Sequence, residues 1–396
     1  MKDINSRQFY RGLSVQTIEL QLLLNCARSR LDTRLVRALV GEGINWDRLL
    51  ELAGKNRVRP LLMRSLKSVC WDAVPSNAQL KLESFYRASV VRNLFFTGEL
   101  LRLLDIFRKN NIAIAAFKGP VLAEVVYGDL SLRDFVDLDL LVHEADLCKA
   151  EHILTACGYH PYLPGSDYRS AFFSYYCQQP FLSQAGVIVD LHWRLASKSV
   201  ALPMQSAAVW GRLRDVTIVG RTVPTLALED LALLLAAHGT MHGWESLVWL
   251  CDFAELVRQH QGIDWRKIFD RAQQARSSRP LLLAAFLAFT LLDAPAPAEL
   301  VDKARSNRAV RALAEKSELA MLRPPSEGDL GEFLQGLNTH DLLRDRIWPV
   351  ATLLVTRTVN DYQAMPLPKS LWGAYHLIRP FRLLGRIVQM LRALLK

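Results

Sequence analysis

The chain has 396 residues, 51% of them apolar and 22% charged, with 49 Lys and Arg against 39 Asp and Glu for a net charge of +10. This composition excludes a disordered chain, a collagen-like repeat and a disulfide scaffold. The length allows two or three domains with ample chain for a core, and the positive balance permits nucleotides, nucleic acid or acidic membrane surfaces as partners without choosing among them.

From Met1 to Ser14 there is no apolar run of signal-peptide length, and no window reaches the ~18 apolar residues of a membrane span, so the expected location is the cytoplasm. The nearest approach, Leu281–Leu292, is bounded by Arg279-Pro280 and Asp293 and suits a buried helix. Six cysteines, Cys26, Cys70, Cys148, Cys157, Cys177 and Cys251, are scattered without a Cys-x-x-Cys pair, which fits reduced core thiols.

Residues 1–110 read as helical. Leu20–Leu24, Leu31–Val40, Trp46–Leu52 and Pro60–Leu66 carry apolar residues at helical spacing. Ser76–Lys109 predicts a long amphipathic helix, its apolar positions including Leu80, Phe85, Val90, Val91, Leu94, Phe95, Leu100, Leu104 and Phe107.

The period changes at Asn110-Asn111. Ile112–Phe117 reads as a buried strand, and Lys118-Gly119-Pro120 turns the chain into a short helix, Val121–Tyr127. After a polar connection to Arg133, Val136–Val142 alternates Asp with apolar residues and reads as a strand. Ala145–Cys157 is a helix ended by Gly158, and Phe172–Leu182 and Val187–His192 are further strands. From Leu226 the chain is helical to its end, broken by Pro and Gly. The division is thus a helical region 1–110, an α/β core 111–225 and a helical region 226–396.

Asp137-Leu138-Asp139 is the most informative triplet. Two residues apart on a strand, both carboxylates leave the same face while Leu138 points to the core. Like charges so close call for a cation, and Mg²⁺ pairs one or two carboxylates with substrate phosphates. The other meaning of the pattern is an edge strand with one wet face. Asp190 interrupts the second apolar strand. If the strands are neighbours, it completes a three-carboxylate cluster able to hold two ions ~3.5–4 Å apart, as in in-line phosphoryl transfer. Lys118-Gly119 brings backbone and charge to a phosphate at a helix N-terminus, or is an ordinary turn. Arg133 either contacts a phosphate or pairs with the acids. His192 and Arg194 share the face of Asp190 and either reach substrate or cap the sheet. His238 and His242, four apart on one helix face, suit substrate contact or helix packing, with zinc a lesser outcome. Trp244 and Trp249 are expected in the core.

Together these residues resemble the nucleotidyltransferase superfamily typified by DNA polymerase β. More closely, the chain is similar to the bacterial uncharacterised nucleotidyltransferase family, whose KG turn, Tyr with a following loop Arg, D-[IL]-D-L-L-V strand and D/E-L-H-W-R segment match Lys118-Gly119, Tyr127, Arg133, Asp137–Val142 and Asp190–Arg194. Trp46-Asp47 with Val58–Leu62, His238–Trp244 with Trp249 and Asp252, and Leu377–Pro380 extend the likeness over most of the chain. The superfamily's usual Gly-Ser turn is Gly119-Pro120 here, and the span to Asp137 is longer than in minimal members.

The resemblance implies an α+β fold, a small mixed β-sheet core flanked by N- and C-terminal helical regions. It implies Mg²⁺-dependent transfer of an NMP group from an NTP such as ATP to an acceptor hydroxyl, with release of pyrophosphate. Asp137, Asp139 and Asp190 would be catalytic and metal-binding (two Mg²⁺, with Mn²⁺ as the substitute). Lys118, Gly119 and Arg133 would bind the nucleotide, and His192, Arg194, His238 and His242 would contact substrate; the acceptor would be a small molecule, saccharide or peptide in a bacterial biosynthetic setting. The competing readings are a non-catalytic nucleotide-binding or scaffold protein of a biosynthetic pathway on the same fold and a nucleotidyltransferase that modifies RNA or protein. Nucleic acid is permitted by charge but lacks a recognition motif.

Residues 344–396 hold nine Lys and Arg against two Asp, a net of +7. Leu384, Ile387, Val388, Leu391, Leu394 and Leu395 form an apolar stripe flanked by Arg382, Arg386, Arg392 and Lys396. The stripe is expected to dock on the body, and its alternative partners are an anionic membrane or nucleic acid.

Overall fold

The computed structural model describes residues 17–162, 176–197, 199–204, 206–322, 329–355, 361 and 364–394. The chain begins with five helices: α1 (Ile18–Cys26), α2 (Thr33–Gly41), α3 (Trp46–Lys55), α4 (Arg59–Val69) and α5 (Ser76–Lys109). Three of them start on a side-chain cap. Thr17, Asp32 and Asn45 accept from the backbone N–H groups of Leu20, Leu35 and Arg48, which otherwise lack a helical partner. Pro60 opens α4 where its missing N–H costs nothing.

Helix α5 runs 34 residues, or about 51 Å at 1.5 Å per residue. Its buried stripe differs from the expected one between Ser76 and Thr97. Ala78, Leu82, Ser89, Asn93, Phe96 and Thr97 face inward, whereas Leu80, Val91, Leu94 and Phe95 are exposed. The inward polar residues hold a loop. Asn93 donates to the carbonyls of Leu130 (2.7 Å) and Arg133 (2.9 Å), Tyr86 donates to Ser131 (2.9 Å), and Arg92 pairs with Asp134. The segment entering the Asp137 strand is thereby clamped along the helix.

The α/β region comprises β1 (Ile114–Ala116), α6 (Gly119–Tyr127), β2 (Asp137–Val142), α7 (Leu147–Ala156), β3 (Tyr159–Pro161), β4 (Gln178–Ser183), β5 (Ile188–His192), α8 (Ser206–Trp210), β6 (Arg214–Ile218) and β7 (Arg221–Thr225). Five strands form one sheet in the order β1-β2-β5-β4-β3. β2 and β5 are parallel and the other pairs antiparallel, so the sheet is mixed. Leu138, Leu140, Leu141 and Val142 are all buried, as suits a central strand covered on both faces. β1 is shorter than the predicted Ile112–Phe117. β4 begins at Gln178, and residues 172–175 of the predicted strand lie outside the described residues. β3 and the β6–β7 hairpin add strands that local patterning does not announce.

The helical remainder comprises α9 (Leu228–Met241), α10 (Leu247–Gln259), α11 (Trp265–Gln274), α12 (Ser278–Leu292), α13 (Ala298–Ser306), α14 (Arg308–Ala320), α15 (Asp329–Gly336), α16 (Ile347–Val355) and α17 (Tyr375–Leu394). α12 carries the Leu281–Leu292 run and is buried along most of its length. No helix among the described residues is long and apolar enough to cross a membrane. One contiguous core extends from Leu20 to Met321. None of the six cysteines is in a disulfide, and Cys26, Cys70 and Cys251 are buried.

The terminal helix is present and passes through Pro380. Two of its cations are engaged, since Arg379 and Arg382 both pair with buried Asp361. The side chains of Leu384, Arg386, Ile387, Val388, Leu391, Arg392 and Leu394, and all of Leu395 and Lys396, lie outside the described ones.

Candidate active site

The parallel pairing of β2 with β5 sets Asp139 directly opposite Asp190, with Asp137 opposite Ile188. Residues in register on adjacent strands share a face. Asp137, Asp139 and Asp190 therefore leave the same side of the sheet, and Leu138 is buried on the other. Ligating atoms of Asp139, Asp190 and His192 all lie within 4.8 Å of one another. Asp137 is half-buried at the rim of this group. Burial, and then the charge of Asp139, push its carboxyl above the ordinary range. Asp190 is pushed up to about 6 by the same two causes. From β4, Gln178 donates to Asp190 Oδ2 at 2.8 Å and fixes its orientation.

Asp139 is the compensated member. Lys118 Nζ stands 3.1 Å and His192 Nε2 3.2 Å from its Oδ1. Burial alone would raise this carboxyl, but Lys118 and His192 hold it below the usual carboxylate range. In return, Asp139 carries His192 up to about 9 against the opposing effect of burial. Asp139 Oδ2 is buried with no hydrogen-bond partner among the described residues. An orphaned carboxylate oxygen facing a second carboxylate is a donor set that fits a hard divalent cation.

Lys118 is the N-cap of α6, and Gly119 begins the helix at φ +55°. A Cβ at Gly119 would stand 2.9 Å from the carbonyl oxygen of Asp137. The glycine thus permits both a left-handed turn and close approach of the turn to the Asp137 strand. The face of the aspartates, the Lys118 ammonium and the start of α6 meet at one place.

The other predicted residues divide. Arg133 hydrogen-bonds Asp252 on α10, with Nε 3.1 Å from Oδ1 and 3.0 Å from Oδ2, and Tyr127 donates to Asp252 Oδ1 at 3.1 Å. Its charge is still felt by Asp137. Arg194, at the end of β5, donates to the carbonyl of Tyr176 at 2.9 Å. His238 and His242 pack with Trp249: the imidazoles are 4.6 Å apart, and Trp249 is 5.3 Å from His238 and 5.0 Å from His242. Burial, followed by the charge of Lys118, keeps both imidazoles neutral, His242 down to about 4. Among the described residues no third His, Cys, Asp or Glu joins them at ligating distance. Trp244 is fully buried over Gly239, where a Cβ would come within 2.5 Å of the indole.

Sequence reasoning missed the roles of Gln178 and Arg57 around this site. Gln178 sits across the sheet from His192, a relation fixed by strand order alone. Arg57 lies in the turn between α3 and α4, far from the sheet in sequence, and no local motif marks it.

A small mixed sheet with facing aspartates on its parallel pair, entered through a Gly-containing strand-turn-helix, is the α+β architecture of a nucleotidyltransferase. The family described as uncharacterised nucleotidyltransferase matches residues 42–293, more than half of the chain, and the chain belongs to it. That span takes in α3 through α12, so it includes the helices flanking the sheet on both sides. No curated protein matches the chain.

Proposed function

We propose that the protein is a divalent-metal-dependent nucleotidyltransferase that moves an NMP group from an NTP to an acceptor hydroxyl and releases pyrophosphate. The observation that carries this reading is the orphaned Asp139 Oδ2 facing Asp190 across the in-register parallel pair. Asp137, Asp139 and Asp190 would hold Mg²⁺, with Mn²⁺ as a substitute. Bound there, the metal supplies Lewis-acid stabilisation of charge on the phosphoryl oxygens.

The chain's own residues do the rest. Lys118 and the Gly119 N–H draw in the triphosphate at the start of α6. His192 and Lys118 orient Asp139. Gln178 orients Asp190, which takes the acceptor proton as the hydroxyl oxygen bonds to the α-phosphorus. The bond from that phosphorus to the bridging oxygen breaks, and its electron pair leaves with pyrophosphate. Positioning and electrostatics carry the rate. Arg133 acts through its charge on Asp137 rather than by direct contact. Trp249, His238 and His242 form a neutral aromatic wall suited to an uncharged part of substrate, and Arg194 braces the end of β5.

The C-terminal pair α16 and α17 is proposed to rest on an anionic bilayer. Trp348, Leu377 and Phe381 are 75%, 74% and 77% exposed, and the segment carries the net +7 that complements acidic headgroups.

Incubation with NTPs labelled at the α- or γ-phosphate, in an extract supplying acceptors, tests the reaction. The α-label should pass to an acceptor with the wild type and not with Asp137→Ala. Transfer of the γ-label would make the protein a phosphotransferase. Equal α-labelling by the variant would sink the assignment.

A further inference from the structure

The N-terminal helices deliver one more cation to this site. Arg57 lies between α3 and α4 with φ +57°, a left-handed conformation that a bulky side chain rarely adopts. Its neighbour Asn56 holds it there. Asn56 is fully buried, and its Nδ2 donates to the carbonyls of Leu52 (3.0 Å) and Met321 (3.1 Å). Its Oδ1 accepts from Leu247 N at 2.9 Å, and its carbonyl accepts from Ser246 Oγ (3.3 Å) and Val248 N (3.2 Å). This clip ties the turn to the start of α10, the helix that carries Trp249 and Asp252.

From this fixed backbone the Arg57 guanidinium reaches the segment entering β2, where Nη2 donates to the carbonyl of Asp134 at 3.1 Å. That is its one hydrogen bond among the described residues, and the residue is only half-buried. It also lies within charge range of Arg133, Asp137 and Asp252. A second guanidinium next to Arg133, with donors to spare, makes an anion-seeking edge beside the aspartates. Guanidinium forks match phosphate oxygens.

We infer that Arg57 is a phosphate-binding residue of the nucleotide site, contributed by the N-terminal helical region and aimed by the Asn56 clip. The inference rests on the nucleotidyltransferase reading and extends it to a residue outside the sheet.

Calorimetric titration of the full chain, in Mg²⁺, with each of the four NTPs and the matching nucleosides tests it. Arg57→Gln should weaken binding of the preferred NTP at least tenfold and leave nucleoside binding unchanged. Arg57→Lys, which keeps the charge but not the fork, should lose less, about threefold. Equal NTP affinity in wild type and Arg57→Gln overturns the role of Arg57 while the nucleotide reading stands. An equal loss for NTP and nucleoside also overturns it, because that is what a structural role would give. If the wild type binds no NTP, both readings fall together. Should Arg57→Gln not fold, unchanged NTP affinity in Arg57→Lys overturns the inference and a threefold loss supports it.

Discussion

The three aspartates are held under unequal conditions. Asp139 has Lys118 and His192 as partners, whereas Asp137 and Asp190 bear burial and mutual repulsion with little relief. In EDTA, Asp137→Asn and Asp190→Asn should therefore leave the thermal midpoint unchanged or raise it. Asp139→Ala leaves buried His192 and half-buried Lys118 without their counter-charge and should cost about 3–5 kcal/mol by denaturant unfolding. The neutral imidazoles set an acid-side dependence. His242 titrates near 4 in the fold and at its ordinary 6.5 when unfolded. Its contribution to stability is therefore present above pH 6.5 and lost as pH falls toward 4. Between pH 7 and 5 this single difference is worth at most about 2 kcal/mol, so His242→Gln should flatten the fall of the thermal midpoint over that range. The aspartates are legible in the sequence because period two puts Asp137 and Asp139 on one face. That His192 serves Asp139, and that Arg133 turns to Asp252, depend on contacts across 53 and 119 residues that no local pattern carries.

At the scale of elements, two glycines decide how the site is assembled. Gly119→Ala would press a Cβ on the Asp137 carbonyl in a left-handed conformation, and backbone cannot yield as a side chain can. We expect a loss of about 1–3 kcal/mol and a larger proportional loss of activity, because the start of β2 must shift. Gly239→Ala meets the Trp244 indole and should destabilise by a similar ~1–3 kcal/mol without touching the aspartates. The long helix α5 follows from its unbroken apolar spacing, yet its buried face from Ser76 to Thr97 does not. Small and polar residues there clamp the 130–134 loop, and the larger apolar side chains are left outside. The β6–β7 hairpin carries a Val219-Gly220 turn with φ +48° and +72°, the primed geometry that suits twisted strands. Its strands are short and mostly polar, and their pattern is correspondingly weak. For the C-terminal pair, Trp348→Ala with Phe381→Ala should reduce co-sedimentation with anionic vesicles severalfold. Equal partitioning of variant and wild type would remove the membrane contact.

Across the whole molecule, the site is gathered from distant stretches: Arg57 from the first helices, Lys118 and the aspartates from the sheet, and His238, Trp249 and Asp252 from the later helices. The flanks also hold each other directly. Lys55 donates to the carbonyls of Glu245 (2.7 Å) and Ala320 (2.6 Å), beside the bonds of Asn56. The family match likewise extends over helices on both sides of the sheet, and we propose that acceptor specificity resides in them. The net charge of +10 is concentrated away from this centre, with +7 after residue 343. The direct test of the central claim is calorimetric titration of the four NTPs, with and without Mg²⁺, into wild type and Asp137→Asn. The account predicts that at least one NTP binds the wild type only when Mg²⁺ is present and that Asp137→Asn abolishes this dependence. An absence of Mg²⁺-dependent binding, or binding that Asp137→Asn leaves unchanged, would contradict it and favour a non-catalytic scaffold.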